Sequence, residues 1–87
     1  MKELKCKIID PIGLHARPAS LVTAVAARFK SEAKLSYEGR EGNLKSIMNI
    51  MALGIKCGAE ITIKTSGEDE QEAIDAIKKA LVDHQLI

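Results

Sequence analysis

The sequence predicts an α+β domain in which an antiparallel or mixed sheet is wet on one face and covered by helices on the other. Two observations carry that expectation. Short stretches alternate apolar and polar residues at every second position, the pattern of strands with one solvated face. Between them lie segments whose apolar residues recur at helical spacing. With 87 residues there is room for one core only, so residues 1–87 are read as a single domain ordered strand, helix, strand, strand, short helix, strand, helix.

The first strand runs from Lys2 to Ile9, with Leu4, Cys6 and Ile8 on one side and Lys5 and Lys7 on the other. Asp10-Pro11-Ile12-Gly13 ends it, because the residue before proline is driven out of the α region and Pro and Gly both interrupt regular structure. From Ala16 to about Phe29 the chain turns Ala-rich, and Ala19, Val22, Val25, Ala26 and Phe29 form the stripe of a helix of about four turns. Small residues on that stripe let the helix lie close to a sheet, and Arg28 and Lys30 suit the negative end of its dipole.

Ala33, Leu35 and Tyr37 alternate with Lys34, Ser36 and Glu38 as a second strand; Gly39-Arg40-Glu41-Gly42 reads as a turn, with a short third strand reaching Leu44. Ser46 to Gly54 reads as a short helix, Ser46 its N-cap and Gly54 just past its end. Two turns of helix cannot bury Ile47, Met48, Ile50, Met51 and Leu53 together in so small a domain. Some of them are therefore expected at the surface, where exposed Met and Ile mark a partner site. Glu60 to Thr65 forms the last strand, with Ile61 and Ile63 inward, and Ser66-Gly67 ends it. Glu68, Asp69, Glu70 and Glu72 crowd the start of the last helix, where acids are favoured, and Ala73, Ile74, Ile77, Ala80 and Leu81 form its core stripe.

Composition excludes several functions. The chain is 46% hydrophobic and 29% charged, and its 13 basic and 12 acidic residues leave a net charge of +1, far from the strongly basic face of a nucleic-acid binder. Phe29 and Tyr37 are its only aromatics, too few to stack single-stranded bases. Cys6 and Cys57 lack CxxC spacing and have only His15 and His84 to join them, a poor metal set. With no secretory signal evident they are read as reduced, cytosolic thiols. No apolar run is long enough to cross a membrane.

The informative stretch is Gly13-Leu14-His15-Ala16-Arg17-Pro18-Ala19. It places one imidazole, one fixed cation and one proline where a loop turns into a helix. A helix starting just after His15 points unpaired backbone N–H groups and its positive dipole end outward, a prepared anion site. Arg17 adds a planar set of donors suited to phosphate. Pro18 falls in the first turn, where a missing N–H costs little. A histidine beside an anion site is a candidate for carrying an anion, and phosphate is the obvious one.

Two motifs together resemble the HPr family, the histidine-containing phosphocarriers of the bacterial sugar phosphotransferase system. One is Gly13 to Ala19. The other is Asn43-Leu44-Lys45-Ser46-Ile47-Met48, running on to Met51, Leu53 and Gly54, which is similar to the regulatory serine segment of HPr from low-GC Gram-positive bacteria. The resemblance covers essentially the whole chain. It implies an open-faced β-sandwich, a four-stranded antiparallel sheet with three helices on one face. It implies a cytoplasmic, monomeric carrier, not an enzyme, that takes a phosphoryl group from phospho-Enzyme I and passes it to enzyme IIA domains.

By the same resemblance His15 carries the phosphate on Nδ1 and Arg17 stabilises it, with Ala16 and Pro18 supporting the phosphate site. Ser20, Ile47, Met48 and Met51 contact partners. Ser46 is phosphorylated by HPr kinase/phosphorylase, and that form binds a catabolite-control repressor. No cofactor, metal, nucleic acid or membrane insertion is implied. Ile12 stands where many relatives carry Thr and excludes a hydroxyl role there; Asn49, where Gly is frequent, lies in the partner surface.

Elementary chemistry agrees with these roles. Phosphoryl transfer depends on in-line positioning and on charge over the equatorial oxygens, which Arg17 and a helix N-terminus supply. Imidazole is the side chain that titrates near neutrality. A phosphate on Ser46 adds roughly −1.5 to −2 charge at a helix start beside an apolar patch. Two other classes of function fit the sequence less well. In an enzyme His15 would act as a general base, yet no nucleophile or orienting carboxylate is evident in the sequence. A binding module, including a KH-like RNA binder built on Gly39-Arg40-Glu41-Gly42, fits poorly with the acid in that turn and the near-neutral charge.

Overall fold

The computed structural model describes residues 1–87 as β1 (Lys2–Lys7), α1 (Ala16–Ala26), β2 (Glu32–Tyr37), β3 (Arg40–Asn43), α2 (Ile47–Leu53), β4 (Glu60–Ser66) and α3 (Glu70–Asp83). The sheet is antiparallel throughout, in the order β1-β4-β2-β3. Alternation sets its two faces. Leu4 lies opposite Ile63 and Cys6 opposite Ile61, and Leu35 also pairs with Ile63, so these side chains meet under the helices. Lys5, Thr62, Ser36 and Glu41 run across the open face, where Lys34 and Glu41 form an ion pair at 3.6 Å.

The three helices lie on the inner face. α1 packs against α2 and α3, α3 rests on β1 and β4, and α2 on β3. Ile8, Ile63 and Ile77 are wholly buried at the centre of the core, each stabilising by about 1.5–3 kcal/mol relative to exposure. The stripe expected on α3 is buried as read: Ala73, Ile74, Ile77, Ala80 and Leu81. Thr65 also points inward from β4, and its Oγ1 donates to the Glu70 carbonyl at 2.9 Å, satisfying a polar group that would otherwise be costly there.

Two local expectations are corrected. The first helix ends at Ala26, one turn short of Phe29. Beyond it the Arg28 and Phe29 N–H groups donate to Val25 and Ala26, three residues back, tightening the last turn. Residues distant in sequence then take over. The Asp69 carboxylate accepts from the Lys30 and Ser31 N–H groups, each at 2.9 Å, and from the Ser31 hydroxyl; Lys45 Nζ donates to the Phe29 carbonyl at 2.8 Å. The bonds from Ser31 and Lys30 hold the Asp69 carboxyl down at about 2, the Ser31 hydroxyl contributing most. Arg28 and Lys30 therefore stand past the helix end instead of in its last turn.

The second correction concerns the hairpin. Its turn is Glu38-Gly39, with φ of 49° and 77°, and Arg40 to Asn43 is the third strand. Positive φ at both loop residues is what a tight two-residue hairpin of this handedness demands, and Gly39 adopts it without strain. Arg40, read as part of the turn, instead sends Nη2 to the Leu53 carbonyl at 2.7 Å and so caps the C-terminal end of α2.

The C-terminal end of α3 is closed by Gln85 at φ 57°, with its N–H donating to Val82 and the Leu86 N–H donating to Leu81. This paired closure buries Leu86, whose carbonyl in turn accepts from the Ile9 N–H at 2.8 Å. The chain end thus anchors the segment that leads into the histidine loop.

Candidate functional site

The loop between β1 and α1 is fixed almost entirely by backbone contacts. Gly13 N–H donates to the Asp10 carbonyl at 2.9 Å, and Leu14 N–H donates to the Ile55 carbonyl at 3.1 Å, seating the loop on residues 55–57. At Gly13, φ is 86°, and a Cβ there would stand 2.5 Å from the Ile55 carbonyl oxygen and 2.8 Å from the Lys56 Cα. Only glycine fits both the conformation and the space. Leu14 turns inward and is buried, which leaves the next residue, His15, at the rim.

His15 is the N-cap of α1, extended at φ −92° and ψ −176°, and its ring makes no capping hydrogen bond. The first intrahelical bond runs from Ala19 N–H to the His15 carbonyl at 3.0 Å. Ala16 and Arg17 N–H groups consequently have no acceptor, and Pro18 has no N–H to leave unpaired. Pro18 is buried against the core while Ala16, Arg17 and Ser20 are exposed. The Arg17 guanidinium forms no ion pair or hydrogen bond within the chain. The imidazole, about one-third exposed, therefore belongs to a helix start with two free backbone donors and, two residues on, an uncommitted cation, a set of groups suited to three anionic oxygens.

None of the larger concavities on the molecule is lined by His15. Both cysteines are free, and no three His, Cys, Asp or Glu side chains gather in a way that would hold a metal ion. Cys6 is half-buried, and that burial pushes its thiol up.

Ser46 begins α2 as expected. Its Oγ accepts from the Asn49 N–H at 3.3 Å and from Asn49 Nδ2 at 3.1 Å. Asn49 Oδ1 accepts in turn from the Asn43 N–H at 3.3 Å, and Asn43 Oδ1 from the Lys45 N–H at 2.9 Å, so the turn before the helix is tied to its first turn. The apolar residues of α2 divide as their number required. Ile50 and Leu53 are buried, whereas Ile47 and Met51 are about 40% exposed and Met48 82% exposed. Ile12, in the histidine loop, is 72% exposed.

The comparisons with known proteins agree with this geometry. The family model described as the PTS HPr component phosphorylation site matches residues 2–83. The chain belongs to the HPr family. HPr proteins are the phosphocarriers of the phosphotransferase system, and the phosphocarrier protein HPr of Mycoplasma pneumoniae is 54% identical over 88 residues, covering the whole of both chains. A solved structure of a Mycoplasma histidine-containing phosphocarrier superimposes with a TM-score of 0.97 at 46% identity, covering 99% of this chain and 98% of that one. Crh of Bacillus subtilis, a catabolite-repression protein described as a domain-swapped dimer, matches with a TM-score of 0.74 at 38% identity, covering 100% of this chain and 99% of that one. The HPr fold, a four-stranded antiparallel sheet with three helices in the order βαββαβα, is the one described above.

Four residues do work that the sequence did not disclose. Arg40 caps α2, Asp69 ties the end of α1 to α3, and Asn49 links Ser46 to Asn43. The fourth is Asp10, read only as an interrupter before Pro11. Its Oδ1 accepts from the Ile12 N–H at 2.9 Å and lies 3.9 Å from His15 Nε2. An Asp that starts a turn and bonds the N–H two residues on is a recognisable pattern and would have located it.

Proposed function

We propose that His15 accepts a phosphoryl group on Nδ1 from phospho-Enzyme I and passes it to enzyme IIA domains of sugar permeases in the cytoplasm, with the protein acting as a monomeric carrier and not as an enzyme in its own right. The observation that carries this reading is the partly exposed imidazole capping a helix whose first N–H groups, those of Ala16 and Arg17, are free, with the Arg17 guanidinium unpaired within the chain. Attack by the Nδ1 lone pair needs no covalent help from the protein. Charge on the three equatorial oxygens is met by donors already in place, so little reorganisation accompanies transfer. A rim position lets the histidine of another protein approach in line, which a deep pocket would forbid.

Ser46 is the proposed site for HPr kinase/phosphorylase. Ile47, Met48, Met51 and Ser20 form the contact surface for partners, among them a catabolite-control repressor when Ser46 carries phosphate. A phosphate at the start of α2 favours that helix electrostatically and places about two negative charges beside the apolar patch, opposing any acidic partner that uses it.

Incubation with phosphoenolpyruvate and Enzyme I, followed by mass spectrometry, tests the carrier role. One acid-labile phosphate on His15, absent in His15→Ala, is expected; no added phosphate would refute it. Incubation with ATP and HPr kinase tests the regulatory role, with phosphate expected on Ser46 and none on Ser46→Ala.

A further inference from the structure

We infer that Asp10 is a positioning residue for His15, holding the imidazole with its proton on Nε2 so that Nδ1 is the nitrogen left free to take the phosphoryl group. The carboxylate is itself held. Its Oδ1 accepts from the Ile12 N–H at 2.9 Å, and the Asp10 carbonyl accepts from the Gly13 N–H at 2.9 Å, so the loop closes around the aspartate from both ends. The preceding residue is anchored too, through the Ile9 N–H to the Leu86 carbonyl. A carboxylate fixed in this way is an oriented charge, unlike a solvated surface acid free to rotate. It lies 3.9 Å from Nε2, and both side chains are partly buried, Asp10 the more so. Ile12 offers no polar side-chain atom, which leaves Asp10 as the polar side chain that the loop brings to the ring.

At 3.9 Å the contact is electrostatic and not yet a hydrogen bond. A carboxylate accepts but cannot donate, so the tautomer it favours carries hydrogen on the facing nitrogen. In that tautomer the Nδ1 lone pair forms the new N–P bond while the N–P bond of the donor phosphohistidine breaks. The His15 ring gains a positive charge, spread toward Nε2–H and facing Asp10. Onward transfer breaks the Nδ1–P bond and returns the ring to neutrality with its proton still on Nε2. No proton enters or leaves in either step. Asp10 stabilises the charged ring in both directions, Arg17, two residues on, is the cation proposed for the phosphate, and Lys56 stands on the loop beneath Gly13.

The tautomer arm of this inference is independent of the carrier reading; the rate arm rests on it. Asp10→Asn is the informative variant, because an amide oxygen keeps the acceptor for the Ile12 N–H and removes only the charge. Nitrogen-15 NMR of the unphosphorylated protein, following the His15 ring shifts through two-bond couplings, is expected to show the Nε2–H population falling in Asp10→Asn. The Ile12 and Gly13 amide signals should stay in place. Phosphorylation by Enzyme I is expected to slow about sixfold, the value of one unit charge at this distance in a water-like dielectric. An unchanged tautomer ratio with an unchanged rate overturns the role of Asp10. If wild-type protein takes no phosphate on His15 the carrier reading fails, and the NMR arm still decides the Asp10 contact. Asp10→Ala, which also removes the acceptor for Ile12, separates loop support from charge: a tautomer shift in Ala but not in Asn assigns the effect to the loop and refutes the inference.

Discussion

Replacing Gly13 by alanine tests whether the histidine loop is specified by space as well as by backbone angle. At φ 86° an L-residue bears a conformational cost of about 1–2 kcal/mol. The added Cβ would also stand 2.5 Å from the Ile55 carbonyl oxygen, 2.8 Å from the Lys56 Cα and 3.0 Å from the Cys57 nitrogen, all backbone atoms that no rotamer change can move. Overpacking of that kind costs about 1–3 kcal/mol more. Alanine reduces the entropy of the unfolded chain and recovers about 0.4–1 kcal/mol, so a net loss of about 2–4 kcal/mol is expected. Gly39→Ala supplies the internal control, since Gly39 also has positive φ, at 77°, yet nothing lies within 4 Å of its Cβ position. It should lose only the conformational part, about 1 kcal/mol. Urea unfolding followed by circular dichroism measures both. With m about 1 kcal/mol/M, the Gly13→Ala midpoint should fall by about 2 M or more and the Gly39→Ala midpoint by about half as much or less. Equal shifts would show that crowding at Ile55 plays no part and would refute the account of the loop.

Four further outcomes are expected. The Asp69 carboxyl, held at about 2 against an ordinary 3.8, contributes stability that is complete above the ordinary value and is lost as pH falls from about 4 toward 2; the advantage of wild type over Asp69→Asn in denaturant midpoint should shrink across that window and vanish below it. Gln85→Gly relieves a non-glycine residue at φ 57° and should stabilise by about 0.5–1 kcal/mol, raising the melting temperature by about 2–8 °C in calorimetry. Arg40→Met keeps most of the aliphatic stem but strips the cap from the Leu53 carbonyl, and should cost about 1 kcal/mol with faster amide exchange confined to α2. Arg17→Ala should leave the melting temperature within about 2 °C of wild type while slowing phosphorylation by Enzyme I on the order of tenfold, less than in a water-excluded site because the guanidinium is solvated.

What could be read from the sequence was whatever repeats with a period or obeys a local rule. Alternation placed Ile61 and Ile63 inward, and the helical stripe placed Ala73 to Leu81, because both patterns report burial on one face directly. The Ser46 cap and the left-handed Gly54 followed from residue type. The start of the first helix just after His15 was equally legible, since Pro18 and the polar residues before it mark a helix start. What escaped was set by partners far along the chain. Nothing near Phe29 announces that Asp69 and Lys45 will take the hydrogen bonds a fourth turn would have used. Arg40 gave no local sign that its target is a carbonyl thirteen residues later. Asp10 was within reach, but its role depends on where His15 ends up, and that depends on Ile55 and Leu86.

The two positions proposed to bear phosphate, His15 and Ser46, are built in opposite ways, and the difference suits their proposed tasks. The histidine loop is tied by main-chain bonds from Ile9 to Leu86, Gly13 to Asp10 and Leu14 to Ile55, with Gly58 donating to Ile8 just behind. Main-chain ties are independent of side-chain rotamers, so the ring and its donors keep their geometry as partners arrive and leave. A transferable phosphate needs that constancy, because small misplacement in line costs rate steeply. The α2 segment is instead clipped at both ends by side chains, Asn49 on Ser46 and Arg40 on Leu53. It packs inward through Ile50 and Leu53 and presents Met48 almost fully to solvent. Side-chain clips can be exchanged without moving the sheet. A stable phosphate on Ser46 would compete for the Asn49 N–H and Nδ2, which now donate to the Ser46 Oγ, altering the surface of α2 while β4 and the histidine loop remain fixed. Asn49→Gly should therefore change partner preference more than it changes phosphoryl acceptance at His15, and comparing repressor binding with Enzyme I kinetics in that variant measures the separation.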